Sequence, residues 1–261
     1  MLDASLLRPS RPFGTAPTDL DVDFETTAPP QLVTEVLHRC VHHDQAPADL
    51  WELAVGDRLA LLLGVARWSG LAALDVVARC RECHELMEVS LSLDEILDAH
   101  ERAGRSPHAD VDTHGAALRL RRPSGLDQLA WQRAESHERA DPIGLMVRTL
   151  AVTGDPGPGP LPETTVAAVD RALNSLDPLV DPDVSLVCPG CATVTVERLD
   201  LQARALDYLH RCQRALLHQV HFLARAYHWS EEEVLRIPAW RRSRYLALIE
   251  RDAEGAMSWP T

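Results

Sequence analysis

Cys80-Arg-Glu-Cys83 and Cys188-Pro-Gly-Cys191 are two C-x-x-C pairs that lie roughly a hundred residues apart in a chain of 261 residues. Each pair follows a short apolar run and precedes a stretch, 86–93 or 193–201, in which apolar and polar residues alternate. Alternation with a period of two is typical of a strand that has one solvated face. We therefore expect each pair to lie in a tight turn between two strands.

A C-x-x-C turn directs two thiolates at one ion, and two such turns supply the four sulfurs that Zn²⁺ prefers in a closed structural site. The sequence therefore predicts a split zinc ribbon built from residues 76–93 and 184–201, in which a structural Zn²⁺ ion is bound by Cys80, Cys83, Cys188 and Cys191. Because Zn–S bonds are about 2.3 Å long, all four sulfurs must then lie within about 4 Å of one another. Ordinary zinc ribbons separate their two pairs by about 15–20 residues, so the long insertion between these pairs has to fold back on itself.

Other interpretations of the cysteine pairs stay open on the sequence alone. Each pair can form a disulfide or consist of plain buried thiols, and His84, directly after Cys83, can replace one thiolate as a ligand. A thiol-redox motif usually starts a helix, whereas both pairs here lead into strand patterns. In the second pair, Pro189 and Gly190 suit a tight turn because Pro fixes one dihedral angle and Gly permits a positive φ.

The composition is that of an acidic globular protein. Asp and Glu number 39 against 26 basic residues, all of them Arg, and the net charge is −13. Such a charge opposes binding to nucleic acid, because phosphates require a basic surface. The absence of Lys excludes the chemistry of Schiff bases and of the P-loop lysine.

The sequence shows no membrane-spanning or secretory segment. No apolar run approaches the roughly 18 residues that a transmembrane helix needs. The N-terminus carries Asp3, Asp19, Asp21 and Asp23 and lacks the apolar core of a secretory signal. We therefore expect a cytoplasmic protein with no membrane partner, in a reducing compartment that favours metal thiolates over disulfides.

Residues 1–29 are rich in Pro and acidic residues, and they predict a disordered acidic tail. We expect residues 30–261 to form a single α+β domain, mostly helical, in which helices enclose a small antiparallel β element resembling a zinc ribbon. The Gly- and Pro-rich stretch 153–162 predicts an exposed linker, and residues 200–252 predict C-terminal helices arranged as a hairpin. Asp57 is the expected N-cap of an apolar helix that precedes the first cysteine pair.

No catalytic arrangement is evident in the sequence. The chain lacks the H-E-x-x-H motif, the H-x-E motif of zinc deaminases and the G-x-S-x-G nucleophile elbow. Four cysteine ligands would leave no open position for a substrate on the metal. We therefore expect the metal to brace the fold and the protein not to be an enzyme.

An aromatic and basic cluster near the C-terminus is a candidate contact surface, because aromatic residues and Arg dominate the energetics of protein interfaces. Its members are Trp229, Trp240, Arg241, Arg244 and Tyr245. The alternative is that the aromatic side chains pack internally between the last helices.

Five stretches, taken in order, resemble a known family. They are Leu50-Trp-Glu-Leu-Ala-Val-Gly-Asp-Arg58, the Cys80/Cys83 pair leading into Glu88-Val-Ser-Leu-Ser-Leu93, Leu118-Arg-Leu-Arg-Arg-Pro-Ser-Gly-Leu-Asp127, the Cys188/Cys191 pair leading into Val196-Glu-Arg-Leu-Asp-Leu201, and Tyr227-His-Trp-Ser-Glu-Glu-Glu-Val-Leu-Arg-Ile-Pro238. Together they cover most of the chain beyond residue 30. Their order resembles the baseplate hub assembly chaperones of T-even-type contractile phage tails, which have relatives in gene clusters of phage-like contractile injection systems.

This resemblance implies a non-enzymatic assembly factor whose partners are baseplate or hub proteins of a phage-like tail. The acidic N-terminal stretch and the Gly- and Pro-rich stretch are departures from the family's pattern. The alternative is a zinc ribbon that binds nucleic acid, as in transcription-linked proteins, which requires a local basic face. Around the pairs, however, the arginines are offset by acids: Arg79, Arg81 and Arg198 stand against Glu82, Glu85, Glu88 and Glu197.

Overall fold

Helices dominate the computed structural model, which describes residues 8–42, 47–102, 106–112, 117–135, 141–157 and 159–257. The chain is 56% helical with small antiparallel sheets, so the predicted α+β, mostly helical class is confirmed. Over the described residues the helices are α1 Pro29–Cys40, α2 Pro47–Glu52, α3 Val55–Trp68, α4 Leu93–Arg102, α5 Gly125–Glu135, α6 Pro142–Leu150, α7 Glu163–Leu176, α8 Leu201–Tyr227, α9 Glu231–Arg236 and α10 Ala239–Met257.

The strands form small antiparallel sheets. They are β1 Arg8–Pro9, β2 Val41–His42, β3 Ala73–Arg79, β4 Leu86–Ser92, β5 His108–Asp112, β6 Ala117–Arg121, β7 Ala151–Thr153, β8 Asp183–Val187 and β9 Val194–Arg198. Within the described ranges, three sheets have two strands, β1-β2, β3-β4 and β8-β9, and a fourth has the order β5-β6-β7. The hairpins β3-β4 and β8-β9 are separate sheets, so side chains have to hold them together.

The main core is built around α3. This helix is apolar on nearly all sides, which is typical of a helix buried on every face. Leu62 and Leu63 are fully buried, and α1, α8 and the inner faces of β3-β4 and β8-β9 surround them. In β3 every second side chain, from Leu74 through Ala78, points into this core. The alternation in the sequence therefore matches the buried face of the hairpin.

The insertion between the cysteine pairs forms a second core. Leu118 and Leu120 of β6 pack against Val147 and Leu150 of α6 and against Val169 of α7. After β7, the stretch 154–162 contains neither helix nor strand at its described positions. A third, smaller cluster joins α8 and α9 through Val220, Leu223 and Val234, and Tyr245, Leu246 and Ile249 of α10 pack against it.

The N-terminal segment departs from the sequence analysis. The expectation of a disordered acidic tail is wrong for residues 8–29, whereas residues 1–7 lie outside the described residues. Phe13 and Val22 are buried in the main core. Gln213 of α8 donates its side-chain amide to the backbone carbonyl oxygens of Asp19 and Val22, both at 2.8 Å.

A single buried carboxylate organises this segment. Asp19 is fully buried and forms two hydrogen bonds with the Arg11 guanidinium, at 2.6 and 2.7 Å. It also accepts backbone N–H groups at 2.9, 3.0 and 3.1 Å, from Gly14, Thr15 and Ala16. Composition does not reveal that this segment is ordered, because polar contacts hold much of it in place and few apolar residues take part.

Replacing Asp19 with Asn is expected to lower the free energy of unfolding by about 2 kcal/mol, since the change removes the charge partner of Arg11 and leaves all of its hydrogen-bond donors without an anionic acceptor. Asp21→Asn removes the same charge from an exposed position and should change it by less than about 0.5 kcal/mol. Chemical denaturation measures both variants. Equal effects of the two substitutions would contradict the anchoring role of Asp19.

A buried ion network ties the insertion to the main core. Arg122, directly after β6, donates Nη2 to Asp177 Oδ1 at 2.6 Å and Nη1 to Asp57 Oδ2 at 2.9 Å. Asp177 directly follows α7, and its carboxylate also accepts the backbone N–H of Gly56 at 3.1 Å. His100 of α4 lies with Nε2 3.4 Å from Asp57 Oδ1. The network therefore joins α3 and α4 to the residues that directly follow β6 and α7 of the second core.

Asp57 is not the N-cap of α3, which corrects the sequence prediction. The helix begins at Val55, its N-cap position is Ala54, and Asp57 lies in the first turn. The side chain of Ala54 cannot accept a hydrogen bond, so the carboxylate of Asp177 satisfies an N–H group at this helix end instead. An anion is favoured there because the free N–H groups and the helix dipole present positive charge.

Gly56→Ala is expected to cost about 3 kcal/mol, because a Cβ atom there would lie 1.7 Å from Asp177 Oδ1 and would displace this carboxylate from Arg122. In an Asp177→Ala background the same substitution should be neutral, or stabilising by up to about 1 kcal/mol, since Ala is the better helix former. Urea unfolding of the four proteins in this double-mutant cycle measures the coupling. An equal cost in both backgrounds would mean that Gly56 is needed for a different reason.

Arg58, directly after Asp57 in α3, is a second buried cation, and burial lowers its pKa to about 10. The ring of Trp51 lies 4.6 Å from its guanidinium. The guanidinium donates to three neutral oxygens, those of the Leu50 carbonyl at 2.7 Å, the Pro30 carbonyl at 2.9 Å and the Thr34 hydroxyl at 2.8 Å. Arg58 thereby fixes α1 and α2 against the start of α3.

Candidate metal centre

Each cysteine pair lies in the turn of an antiparallel hairpin, as the sequence predicts. The last paired residues are Arg79 with Leu86 in β3-β4, and Val187 with Val194 in β8-β9. The two turns share one pattern of backbone hydrogen bonds, Cys80 N–H to Glu85 O at 2.9 Å and His84 N–H to Cys80 O at 3.1 Å, matched by Cys188 N–H to Thr193 O and Ala192 N–H to Cys188 O, both at 2.9 Å. The repeat seen in the sequence is therefore a repeat of local backbone structure.

Each turn places the residue after its second cysteine in the left-handed region. His84 has φ 61° and Ala192 has φ 60°. Gly190 is not among the residues with positive φ, so the expectation that this glycine supplies the unusual dihedral is wrong. A Cβ atom on Gly190 would lie 3.8 Å from Cys83 Sγ, an ordinary contact distance. The strained position of the second turn is thus Ala192.

Ala192→Gly is expected to raise the free energy of unfolding by about 0.5–1 kcal/mol, because it removes the steric cost of a Cβ atom at positive φ. Ala226→Gly, at an exposed position in α8, should have the opposite effect and lower it by about 1 kcal/mol. Thermal unfolding of both variants under identical conditions measures the difference. A loss of stability in both variants would contradict the strain assigned to Ala192.

The four cysteine sulfurs converge across the two hairpins. They lie within 4.8 Å of one another and can hold a metal ion, although this limit is wider than the predicted separation of about 4 Å. Cys80 Sγ lies 3.5 Å from Cys191 Sγ, and Cys83 Sγ lies 3.5 Å from Cys188 Sγ. All six cysteines are free thiols, so neither pair forms the disulfide that the sequence left open. His84 is outside this set of four, whose donors are all sulfur.

The geometry fits a tetrahedral thiolate site. Four sulfurs at about 2.3 Å from a central Zn²⁺ are about 3.8 Å apart, close to the 3.5 Å contacts between the hairpins. Cys80 and Cys188 are 0% and 1% exposed, whereas Cys83 and Cys191 are exposed. An ion held by these sulfurs would lie at the boundary between the main core and solvent. Cys40 and Cys212, the remaining two cysteines, lie outside the cluster.

The surroundings shift the pKa values of the two exposed thiols in opposite directions. Hydrogen bonds with the Thr193 hydroxyl, 3.3 Å from Sγ, and with the Thr193 backbone N–H lower the pKa of Cys191 to about 6. A backbone hydrogen bond from Glu85 favours the thiolate of Cys83, but contacts with the sulfurs of Cys188, Cys191 and Cys80 outweigh it and raise its pKa to about 12. Cys191 therefore ionises well before Cys83, because the first negative charge opposes a second. A divalent cation would remove that repulsion. Thr193 belongs to no recognisable sequence motif. Only its position two residues after Cys191 could have indicated its contact with the Cys191 sulfur.

The surface around the cluster is not a basic face. The Arg198 guanidinium lies 3.2 Å from the Asp181 carboxylate and 3.9 Å from that of Asp183. Arg79 donates to the backbone carbonyl of His84 at 2.8 Å. The exposed side chains nearest the turns include apolar ones, Val77, Leu86, Val187, Val194 and Val196.

The candidate contact residues near the C-terminus divide into two groups. Trp229 stacks on Tyr227 with ring centroids 4.6 Å apart, and the Tyr245 ring contacts the ring of Trp229 at 5.2 Å. Trp240 is 62% exposed, and the Arg244 guanidinium lies 5.2 Å from the centre of its ring. Arg241 is also exposed. The aromatic pair therefore packs within the C-terminal hairpin, whereas Trp240 and the two arginines lie on its surface.

Comparison with protein-family models, with curated proteins and with solved structures finds no match to this chain. None of the helices in the described parts of the chain combines the length and the apolar character needed to cross a membrane.

Proposed function

We propose that this protein is a non-enzymatic assembly factor whose fold is braced by a structural zinc ion on Cys80, Cys83, Cys188 and Cys191. The observation that carries the proposal is the convergence of four thiols from two hairpins with matching turns. Sulfur ligands select zinc over harder cations such as Mg²⁺ or Ca²⁺. Four protein ligands would complete the tetrahedron and leave no position for a substrate.

The proposed partners are baseplate or hub proteins of a phage-like contractile tail. This choice of partners is supported by the five sequence stretches, whose order resembles that in the baseplate hub assembly chaperones. Within the fold, four of these stretches contribute to the ion network and the cysteine hairpins: 50–58 carries Asp57, 118–127 carries Arg122, and the two cysteine stretches carry one pair each. The exposed Trp240, Arg241 and Arg244 offer the residue types that dominate protein interfaces.

Native mass spectrometry with metal analysis of the full chain is expected to show one zinc per protein. The Cys83→Ser/Cys191→Ser variant, which changes only the two exposed sulfurs, should lose the metal and lower the melting temperature by about 10 °C, equivalent to about 3 kcal/mol for a chain of this size. Cys212→Ser is the matched control, because this thiol lies outside the cluster, and it should retain the zinc. A full chain that purifies without metal, or a double variant that still holds it, would contradict the zinc site.

Co-expression with the products of the neighbouring genes tests the partner, which is expected to be a baseplate or hub protein. A stable complex seen by native mass spectrometry supports the assembly role. A zinc-bound chain that forms no such complex but shifts DNA in a salt-dependent gel assay would instead support the nucleic-acid alternative. The local charges described above do not favour that outcome.

A further inference from the structure

The second half of α8 belongs to a long stretch without acidic residues. From Tyr208 to Ser230 the chain contains no Asp or Glu, although 39 of its 261 residues are acidic. The basic residues of this stretch are Arg211, Arg214 and Arg225, together with His210, His218, His221 and His228. It is therefore a local basic segment in a chain whose net charge is −13.

One face of this helix points to solvent. The opposite face is held in the protein, where Leu216, Val220 and Leu223 are buried. Because an α-helix has 3.6 residues per turn, the outward face, which we term the α8 outer face, consists of Arg214, Leu217, His218, His221, Phe222 and Arg225. Leu217 is 44% exposed and Phe222 is 45% exposed. Two large apolar side chains thus lie between two cations.

The α8 outer face contains a shallow open cleft of about 590 Å³, lined by five of its residues from Arg214 to Phe222. The rings of His218 and His221 lie with their centroids 6.3 and 5.4 Å from that of Phe222. With the residues that the structure describes, neither Arg214 nor Arg225 forms an ion pair. The guanidinium groups are therefore available to carboxylates of another molecule.

We propose that the α8 outer face binds an acidic amphipathic helix of a partner protein. The apolar side of that helix would cover Leu217 and Phe222, and its carboxylates would pair with Arg214 and Arg225. These two cations are three helical turns apart, about 16 Å along α8, so the fitting segment has carboxylates at a similar spacing, one at each end of an apolar stripe. The inference goes beyond the proposed function, because it depends on the surface of α8 alone.

The charge pattern favours an acidic helix over two other binding partners, a second copy of this chain and a nucleic acid. The α8 outer face of a second copy would bring like charges together, which is unfavourable at an interface. A nucleic acid needs a basic stripe that follows its phosphates, whereas here the centre of the face is apolar.

Fluorescence anisotropy with the full-length protein tests the proposal. The probe is a labelled 20-residue peptide of Leu, Ala and Glu, with Leu at helical spacing and Glu at both ends of the Leu stripe, and its control has Lys in place of every Glu. The acidic peptide is expected to bind at micromolar concentration and more weakly as salt rises. Binding of the Lys peptide with equal affinity, or no binding of the acidic peptide, would overturn the proposal.

Two matched double variants locate the site. Arg214→Glu/Arg225→Glu is expected to weaken binding of the acidic peptide at least tenfold, and Phe222→Ser should weaken it as well. Arg133→Glu/Arg171→Glu makes the same charge change at exposed positions of α5 and α7 and should stay within twofold of the unmodified protein. Circular dichroism establishes that each variant is folded. Equal losses of peptide binding in the two double variants would overturn the proposal. Tighter binding of a 20-nucleotide single-stranded DNA than of the acidic peptide would overturn it too. Self-association of the protein that only the α8 double variant abolishes would also overturn it.

Discussion

The long insertion between the two cysteine pairs has to return to the place where it starts. The rest of this structure depends on that constraint. The second cysteine pair can meet the first only if the end of α7 comes back to the start of α3. Arg122 enforces this, because its guanidinium binds Asp57, ahead of the first pair, and Asp177, shortly before the second. The entropy cost of closing a loop grows only with the logarithm of its length, so a few buried ionic contacts can hold so long an insertion in place.

The same closure determines what the cysteine cluster can do. Cys80 and Cys188 belong to the main core, and Cys83 and Cys191 complete the set from the solvent side. An ion in such a site would link two hairpins that share no backbone hydrogen bonds in any described sheet. Its contribution would therefore be to the stability of the fold, because structural metal binding is coupled to folding.

Charge has separate roles in the core and on the surface. Inside, single ionic groups replace apolar packing: Asp19 organises the N-terminal segment, and Arg58 joins three helices through neutral oxygens. Outside, acidic residues outnumber basic ones over the chain as a whole, whereas the stretch from Tyr208 to Ser230 lacks them, so that α8 presents arginines, histidines and apolar side chains together. A protein that is acidic as a whole can therefore still offer a basic surface to an acidic partner.

The sequence by itself determined what depends on near neighbours in the chain. It indicated the apolar helix before the first cysteine pair, the strands on both sides of each pair and the C-terminal helices, because periodicity and short spacing express these directly. Only the tertiary structure decided that Asp177 caps α3, that residues 8–29 are ordered, and that Trp229 packs inside while Trp240 faces solvent. The physical reason is that these outcomes rest on contacts between residues far apart in the chain, such as Gly56 with Asp177 and Asp19 with Gln213, for which the sequence carries no local signal.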